Sequence, residues 1–212
     1  MNLADLRNEY QQAELTKVSL LGDPFLQFEK WMEEAVNAQL REPTATVLST
    51  VDQRGAPSSR TVLLKYYDRS GFVFFTNYQS RKSREIGENP QVSLLFPWLD
   101  LERQVVIMGV AERVSTAESM KYFSSRPRGS QLGAWSSAQS SAISSRKLLL
   151  MQFEKMKEKF RKGDIPLPDF WGGFRVKPHR FEFWQGRPNR LHDRFEFLLN
   201  EGGEWDIERL AP

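Results

Sequence analysis

Phe25, Phe28, Met32, Ala35 and Val36 recur at helical spacing, so they predict an amphipathic helix. Asp23-Pro24 reads as an N-cap followed by proline at the first helical position, and Pro43 marks the limit. Residues 44–51 and 58–66 are strand-like runs of Val, Leu and Thr, and the turn residues 52–55 between them predict a hairpin. A third strand is expected over residues 72–76, entered through 68–71. Ser80 can cap a short helix ending near Asn89-Pro90. Residues 91–96 and 104–114 read as two further strands.

Ser115 and Glu118 form a capping box for a helix that runs to about Phe123. Residues 124–145 hold nine serines and three glycine or proline residues, so this stretch resembles a linker. It also carries Arg126, Arg128, Trp135 and Gln139, which a passive linker does not need. A longer helix is expected over 146–161, ended by Pro166 and Pro168, and strands over 174–184, 195–199 and 205–210. Many antiparallel strands with few helices predict a mainly β fold: a barrel with helices packed outside it. A length of 212 residues fits one domain.

Composition narrows the chemistry. With no cysteine, disulfides, thiolate metal sites and cysteine nucleophiles are excluded, and two histidines make a histidine-rich metal site unexpected. No apolar run approaches 18 residues and residues 1–10 are polar, so a cytoplasmic protein without a membrane span is expected. Net charge is only +3, but it is segregated: residues 60–84 net +5, 121–147 net +5, and 171–194 net +4. Such separation suits a surface or cleft that receives anions, although solvated basic faces have the same signature.

Four clusters stand out. Arg81 and Lys82 follow Ser80 into the first turn of a helix, where the macrodipole disfavours cations unless an anion binds there; a frayed, solvated end is the alternative. Arg60 and Lys65 lie five apart on a strand, hence on opposite faces, so they should not share one ligand. Lys121, Tyr122, Arg126 and Ser130 bring cations and neutral donors to a helix end, as a phosphate site or as ordinary dipole partners. Densest is the run from Phe181 to Arg194, where alternation would place Arg190, His192 and Arg194 on one side of an extended segment. There is no nucleophile elbow, Walker loop or dinucleotide fingerprint.

From about Leu6 to Pro212 the chain resembles the pyridoxine/pyridoxamine 5′-phosphate oxidase family. The resemblance rests on residues 181–194, 60–65, 80–82, 93–98, 101–105, 131–135 and 170–176. It implies an FMN-binding split β-barrel homodimer with two FMN sites at the subunit interface. It also implies a lid segment over residues 1–20 ahead of a single domain over 21–212. Carried over, Arg60, Arg81 and Lys82 hold the FMN phosphate with Gln139 and Ser140. Thr61, Val62, Leu63, Leu64 and Lys65, with Phe75 and Thr76, lie along the flavin, and Gln104, Trp184 and Arg194 complete its site. Lys65, Tyr122, Arg126 and Ser130 hold the substrate phosphate, so Arg60 and Lys65 serve different phosphates. Arg190 and His192 contact the pyridine ring, and Arg7 and Tyr10 belong to the lid. Two positions depart from some relatives: Asn8 replaces a second arginine, and Phe75 replaces tyrosine.

The implied reaction transfers hydride from substrate C4′ to flavin N5. Dioxygen then reoxidises the flavin to give hydrogen peroxide, and ammonia is released from the amine substrate. Two rival readings are a flavin- or pyridoxal-phosphate-binding barrel without catalysis and an RNA-binding barrel. The first does not need Arg190 with His192. The second finds no recognised nucleic-acid motif here.

Overall fold

The computed structural model describes Tyr10 and residues 13–212. Helix α1 (Pro24–Asn37) begins where Asp23 Oδ1 accepts from the N–H groups of Phe25 and Leu26. This is the N-cap that the Asp-Pro pair predicts. Among the described residues nine strands form one antiparallel sheet: β1 (Ala45–Val51), β2 (Pro57–Leu63), β3 (Tyr66–Asp68), β4 (Gly71–Asn77), β5 (Gln91–Trp98), β6 (Arg103–Arg113), β7 (Trp171–Gln185), β8 (Asp193–Leu199) and β9 (Trp205–Leu210). Around it lie α2 (Arg81–Glu88), α3 (Thr116–Ser125), α4 (Arg128–Ser136) and α5 (Arg146–Lys159). Among the described residues no helix is long and apolar enough to cross a membrane.

The strand order β2-β1-β5-β6-β7-β4-β3 puts β2 and β3, neighbours in sequence, at opposite ends of the path. The sheet therefore curls into a half-barrel whose ends approach each other. Two successive residues bridge the seam: the Leu64 N–H donates to Thr44 and the Lys65 N–H to Val73 of β4. The single strand expected over 58–66 is thus two strands, because the chain changes sheet edge at Leu64 and Lys65.

Strand β7 branches. Its first residues pair with β4 and its last with β8, while β6 lies along the other edge from Phe174 to Gln185. The β6 register shifts between Met108 and Gly109, which leaves His179 extra and seats Pro178 at the bulge, where its missing N–H is tolerated. The inner face of the curl carries Val105, Ile107, Phe181, Phe183, Phe195 and Phe197, all buried. Phe25, Phe28 and Trp31 of α1 close over it, and the Phe28 ring meets Phe72 and Phe96 edge-on at 5.0 Å. Burying each such ring contributes about 1.5–3 kcal/mol.

A second cluster, Phe123, Leu132, Phe160, Ile165 and Trp171, lies among α3–α5 and the start of β7. It explains why the linker-like stretch is not a linker. Leu132 is buried, Trp135 Nε1 donates to the Pro166 carbonyl, and Arg128 donates to the carbonyls of Gly163 and Phe160. These tertiary contacts hold α4 helical against its Ser/Gly composition.

Candidate active site

A cavity of about 630 Å³ opens at the seam of the half-barrel. That volume falls in the range of small-molecule sites. Strand β2 lines it with Thr61, Val62 and Leu63, the crossover with Lys65, and β4 with Phe75, Thr76 and Asn77. Helix α2 adds Lys82, α3 adds Tyr122, and residues 126–139 add Arg126, Ser130, Ser137 and Gln139. Trp171 completes the wall. Leu64, expected along the flavin, instead turns its side chain into the core and is 5% exposed.

Around α2 the polar groups form one network. Lys82 is buried, and its ammonium donates to Thr76 Oγ1 at 3.2 Å and Ser80 Oγ at 3.5 Å. Thr76 Oγ1 donates to Gln139 Oε1 at 3.0 Å, which also accepts the Asn77 N–H. Burial holds the Lys82 pKa below its ordinary value and nearby Arg60 adds to that, while Glu85 opposes it. A buried ammonium whose bonds among the described residues go to hydroxyls is a demand for an anion. Ser80 sits at the N-cap but bonds Ser83 and Lys82 rather than capping with its side chain.

Arg60 and Arg81 do not line the cavity. Both are held by Glu85, whose Oε2 accepts from Arg60 at 3.1 Å and whose Oε1 accepts from Arg81 at 2.8 Å. Thr50 and Ser58 also donate to Oε2, at 2.5 and 2.6 Å. Although burial works against the charged form, these four donors together hold the Glu85 carboxyl down at about 2. Three cations and this carboxylate leave +2, the complement of a phosphate dianion. Ser140 has a left-handed φ of 70° and is exposed outside the cavity wall.

The second cationic group faces an aromatic wall. Phe75 stacks on Tyr122 at 4.1 Å and on Trp171 at 5.4 Å. Gly173 makes room for this, since a Cβ there would lie 2.8 Å from the Phe75 ring. The Arg126 guanidinium sits 4.8 Å from the Trp171 ring centroid, and its Nη1 is buried with no hydrogen-bond partner among the described residues. Burial lowers the Arg126 pKa and raises that of Tyr122. Arg60 and Lys65 have separate surroundings, Glu85 for the first and the cavity for the second.

Five predicted residues lie elsewhere on this chain. Gln104, Trp184 and Arg194 form one cross-strand row over β6, β7 and β8, so they share a sheet face. Arg194 grips Glu182 with two contacts of 3.1 Å, which raise its pKa. Arg190 and His192 follow on the connection to β8. That connection is not extended: residues 188–190 make a 3-10 turn with Asn189 and Arg190 at φ of 57° and 61°. The expected period-two alignment of Arg190, His192 and Arg194 therefore fails. His192 packs on Trp184 at 4.6 Å and on Tyr10 at 5.7 Å, and Arg190 is exposed. Burial and Arg190 lower the His192 pKa, against Asp193. Arg7 and Asn8 lie outside the described residues.

Glu85, Asn77, Ser137 and Trp171 were not singled out from the sequence. Glu85 had a readable signal, four residues after Arg81 on one helix. Asn77, whose side chain donates to the Ser137 carbonyl, had none.

Comparison with known proteins matches residues 32–160 to the family described as pyridoxamine 5′-phosphate oxidase. Residues 171–212 match the pyridoxine 5′-phosphate oxidase C-terminal dimerisation region. Proteins named pyridoxine/pyridoxamine 5′-phosphate oxidase from Crocosphaera subtropica and Rippkaea orientalis are 64% and 60% identical, each over the whole of both chains. The crystal structure of PhzG from Burkholderia lata with tetrahydrophenazine-1-carboxylic acid is similar at TM-score 0.87 and 28% identity, covering 94% of this chain and 98% of that one.

Proposed function

This chain belongs to the pyridoxine/pyridoxamine 5′-phosphate oxidase family, and on that premise we infer that it oxidises pyridoxine 5′-phosphate and pyridoxamine 5′-phosphate to pyridoxal 5′-phosphate. The cofactor is FMN. The observation that carries this assignment is one cavity bearing two unmet cationic demands on different elements: buried Lys82 on α2, and the unbonded Arg126 Nη1 just beyond α3.

The residues present fit the cofactor. Lys82, Thr76 and Gln139, backed by Arg60 and Arg81 on Glu85, would hold the FMN phosphate, with Ser140 the next residue in the chain after Gln139. Thr61, Val62, Leu63 and Phe75, which line the cavity, would border the flavin. FMN held there would supply the hydride acceptor for substrate C4′ and the route by which the electrons reach dioxygen, with hydrogen peroxide as the product. Lys65, Tyr122, Arg126 and Ser130 clamp the substrate phosphate, so binding energy remote from C4′ fixes its position.

Gln104, Trp184, Arg194, Arg190 and His192 do not line the cavity of their own chain. They complete the cavity of a second copy, and the C-terminal dimerisation region carries all of these but Gln104. Arg190 and neutral His192 orient the pyridine ring and its phenolic oxygen, while Tyr10 packs on His192 and Trp184. Incubation of the FMN-loaded protein with pyridoxamine 5′-phosphate in air is the test. Pyridoxal 5′-phosphate, hydrogen peroxide and ammonia appear in equal amounts; turnover without peroxide, or none, contradicts the reading.

A further inference from the structure

The turn that carries Arg190 and His192 is tied to residues 13–15 through one buried carboxylate. Asp193 is 6% exposed and joins three separate stretches of chain. Its Oδ1 accepts from Arg209 of β9, and its Oδ2 accepts from the Leu15 N–H at 3.2 Å and lies 3.6 Å from Arg187 Nε. Arg187 extends the connection, donating to the Ala13 carbonyl at 3.2 Å and to Glu14 Oε1 at 2.6 Å. The backbone N–H of the same Arg187 donates to His192 Nδ1 at 3.1 Å.

That last bond decides the tautomer. A neutral imidazole whose Nδ1 accepts a hydrogen bond carries its proton on Nε2. Its seat is closed by Trp184 and Tyr10, and Tyr10 in turn is admitted only by the missing side chain at Gly186, where a Cβ would lie 2.7 Å from the Tyr10 ring. Tyr10 is three residues from Ala13, so the contacts that fix residues 13–15 also fix where it can reach.

We propose that Asp193 is a positioning residue for the oxidation: through Arg187 it fixes the His192 imidazole with Nε2–H as the donor offered to the substrate ring, and through Leu15 it holds Tyr10 against the same imidazole. The inference rests on the assignment of His192 as a substrate contact made above. Asp193 touches no substrate itself.

The test uses the FMN-loaded enzyme, Asp193→Asn, and Arg209→Gln as the variant that removes only the β9 limb. Two readouts are taken: the nitrogen-15 resonances of His192, with His179 the one other histidine to assign, and the rate at which pyridoxine 5′-phosphate bleaches the flavin anaerobically. In the unsubstituted protein Nδ1 is unprotonated and Nε2 protonated. Asp193→Asn mixes the tautomers and slows bleaching about tenfold or more, as small misplacements of a reacting group do, while FMN stays bound. Arg209→Gln keeps the tautomer and the rate. Should Asp193→Asn fail to fold, Arg187→Gln replaces it, since it removes the guanidinium limb but keeps the backbone N–H; the same mixing is expected. An Asp193→Asn or Arg187→Gln protein with the original tautomer and rate overturns the proposal, as does Arg209→Gln with an equal loss. If the unsubstituted enzyme ignores pyridoxine 5′-phosphate, the functional reading fails instead, and the tautomers still decide the role of Asp193.

Discussion

The Lys82 ammonium and the Thr76 hydroxyl meet at 3.2 Å, and the same hydroxyl donates onward to Gln139, so β4, α2 and the stretch after α4 converge on one buried cation. Removing that cation tests what it holds. Lys82→Ala should weaken FMN binding by about 1.5–3 kcal/mol, the size of a hydrogen bond to a charged group. Flavin fluorescence titration measures this. The KM for pyridoxine 5′-phosphate, measured at saturating FMN, should change less than the FMN affinity.

Glu85 is an acid among the cations proposed to hold the FMN phosphate, and its role follows from what it grips. Glu85→Gln should loosen both Arg60 and Arg81, costing about 1–3 kcal/mol of stability and part of the FMN affinity. The pH dependence has a definite sign. Because the folded carboxyl titrates at about 2 rather than its ordinary 4.5, its stabilisation is present above 4.5 and is lost as pH falls toward 2. Acid unfolding followed by circular dichroism should show a shallower fall over that interval in Glu85→Gln.

Arg190→Ala should leave FMN bound but slow flavin reduction by substrate, because Arg190 is assigned to the substrate ring and makes none of the contacts of the Lys82–Thr76–Gln139 network. It should also raise the His192 pKa, since Arg190 is the second cause of its depression after burial. With a folded pKa below 6.5, the ring's contribution to stability is present above 6.5 and lost as pH drops through and below it. Proton NMR titration of the two histidines reads the shift directly.

Phe28 is fully buried against Phe72, Phe96 and Tyr67. Phe28→Ala should cost about 3–5 kcal/mol of unfolding free energy. Denaturant unfolding measures it, and the FMN affinity of the protein that remains folded should stay near that of the unsubstituted chain.

Much of this was legible from residue pattern alone. Helix α1, the β1–β2 hairpin and strands β4 to β9 follow from local periodicity and turn chemistry, with ends displaced by a few residues. What failed was decided by tertiary contact. Helix α4 exists because Leu132 and Trp135 find partners across the second core cluster, which no count of serines reveals. The break at Leu64 and Lys65 reflects the curling of the sheet, visible only once β2 and β3 are known to be its ends. The left-handed Asn189 and Arg190 upset an alternation argument that assumed extended backbone. In the site, the cations announced themselves by charge, whereas Asn77 and Trp171 became visible only as walls of the cavity.

The most direct measurement of the central claim is the visible spectrum of the FMN-loaded protein, recorded anaerobically as pyridoxine 5′-phosphate is added. The account predicts that the bound-flavin band bleaches and returns when air is admitted. A bound flavin that keeps its colour through saturating substrate would contradict it.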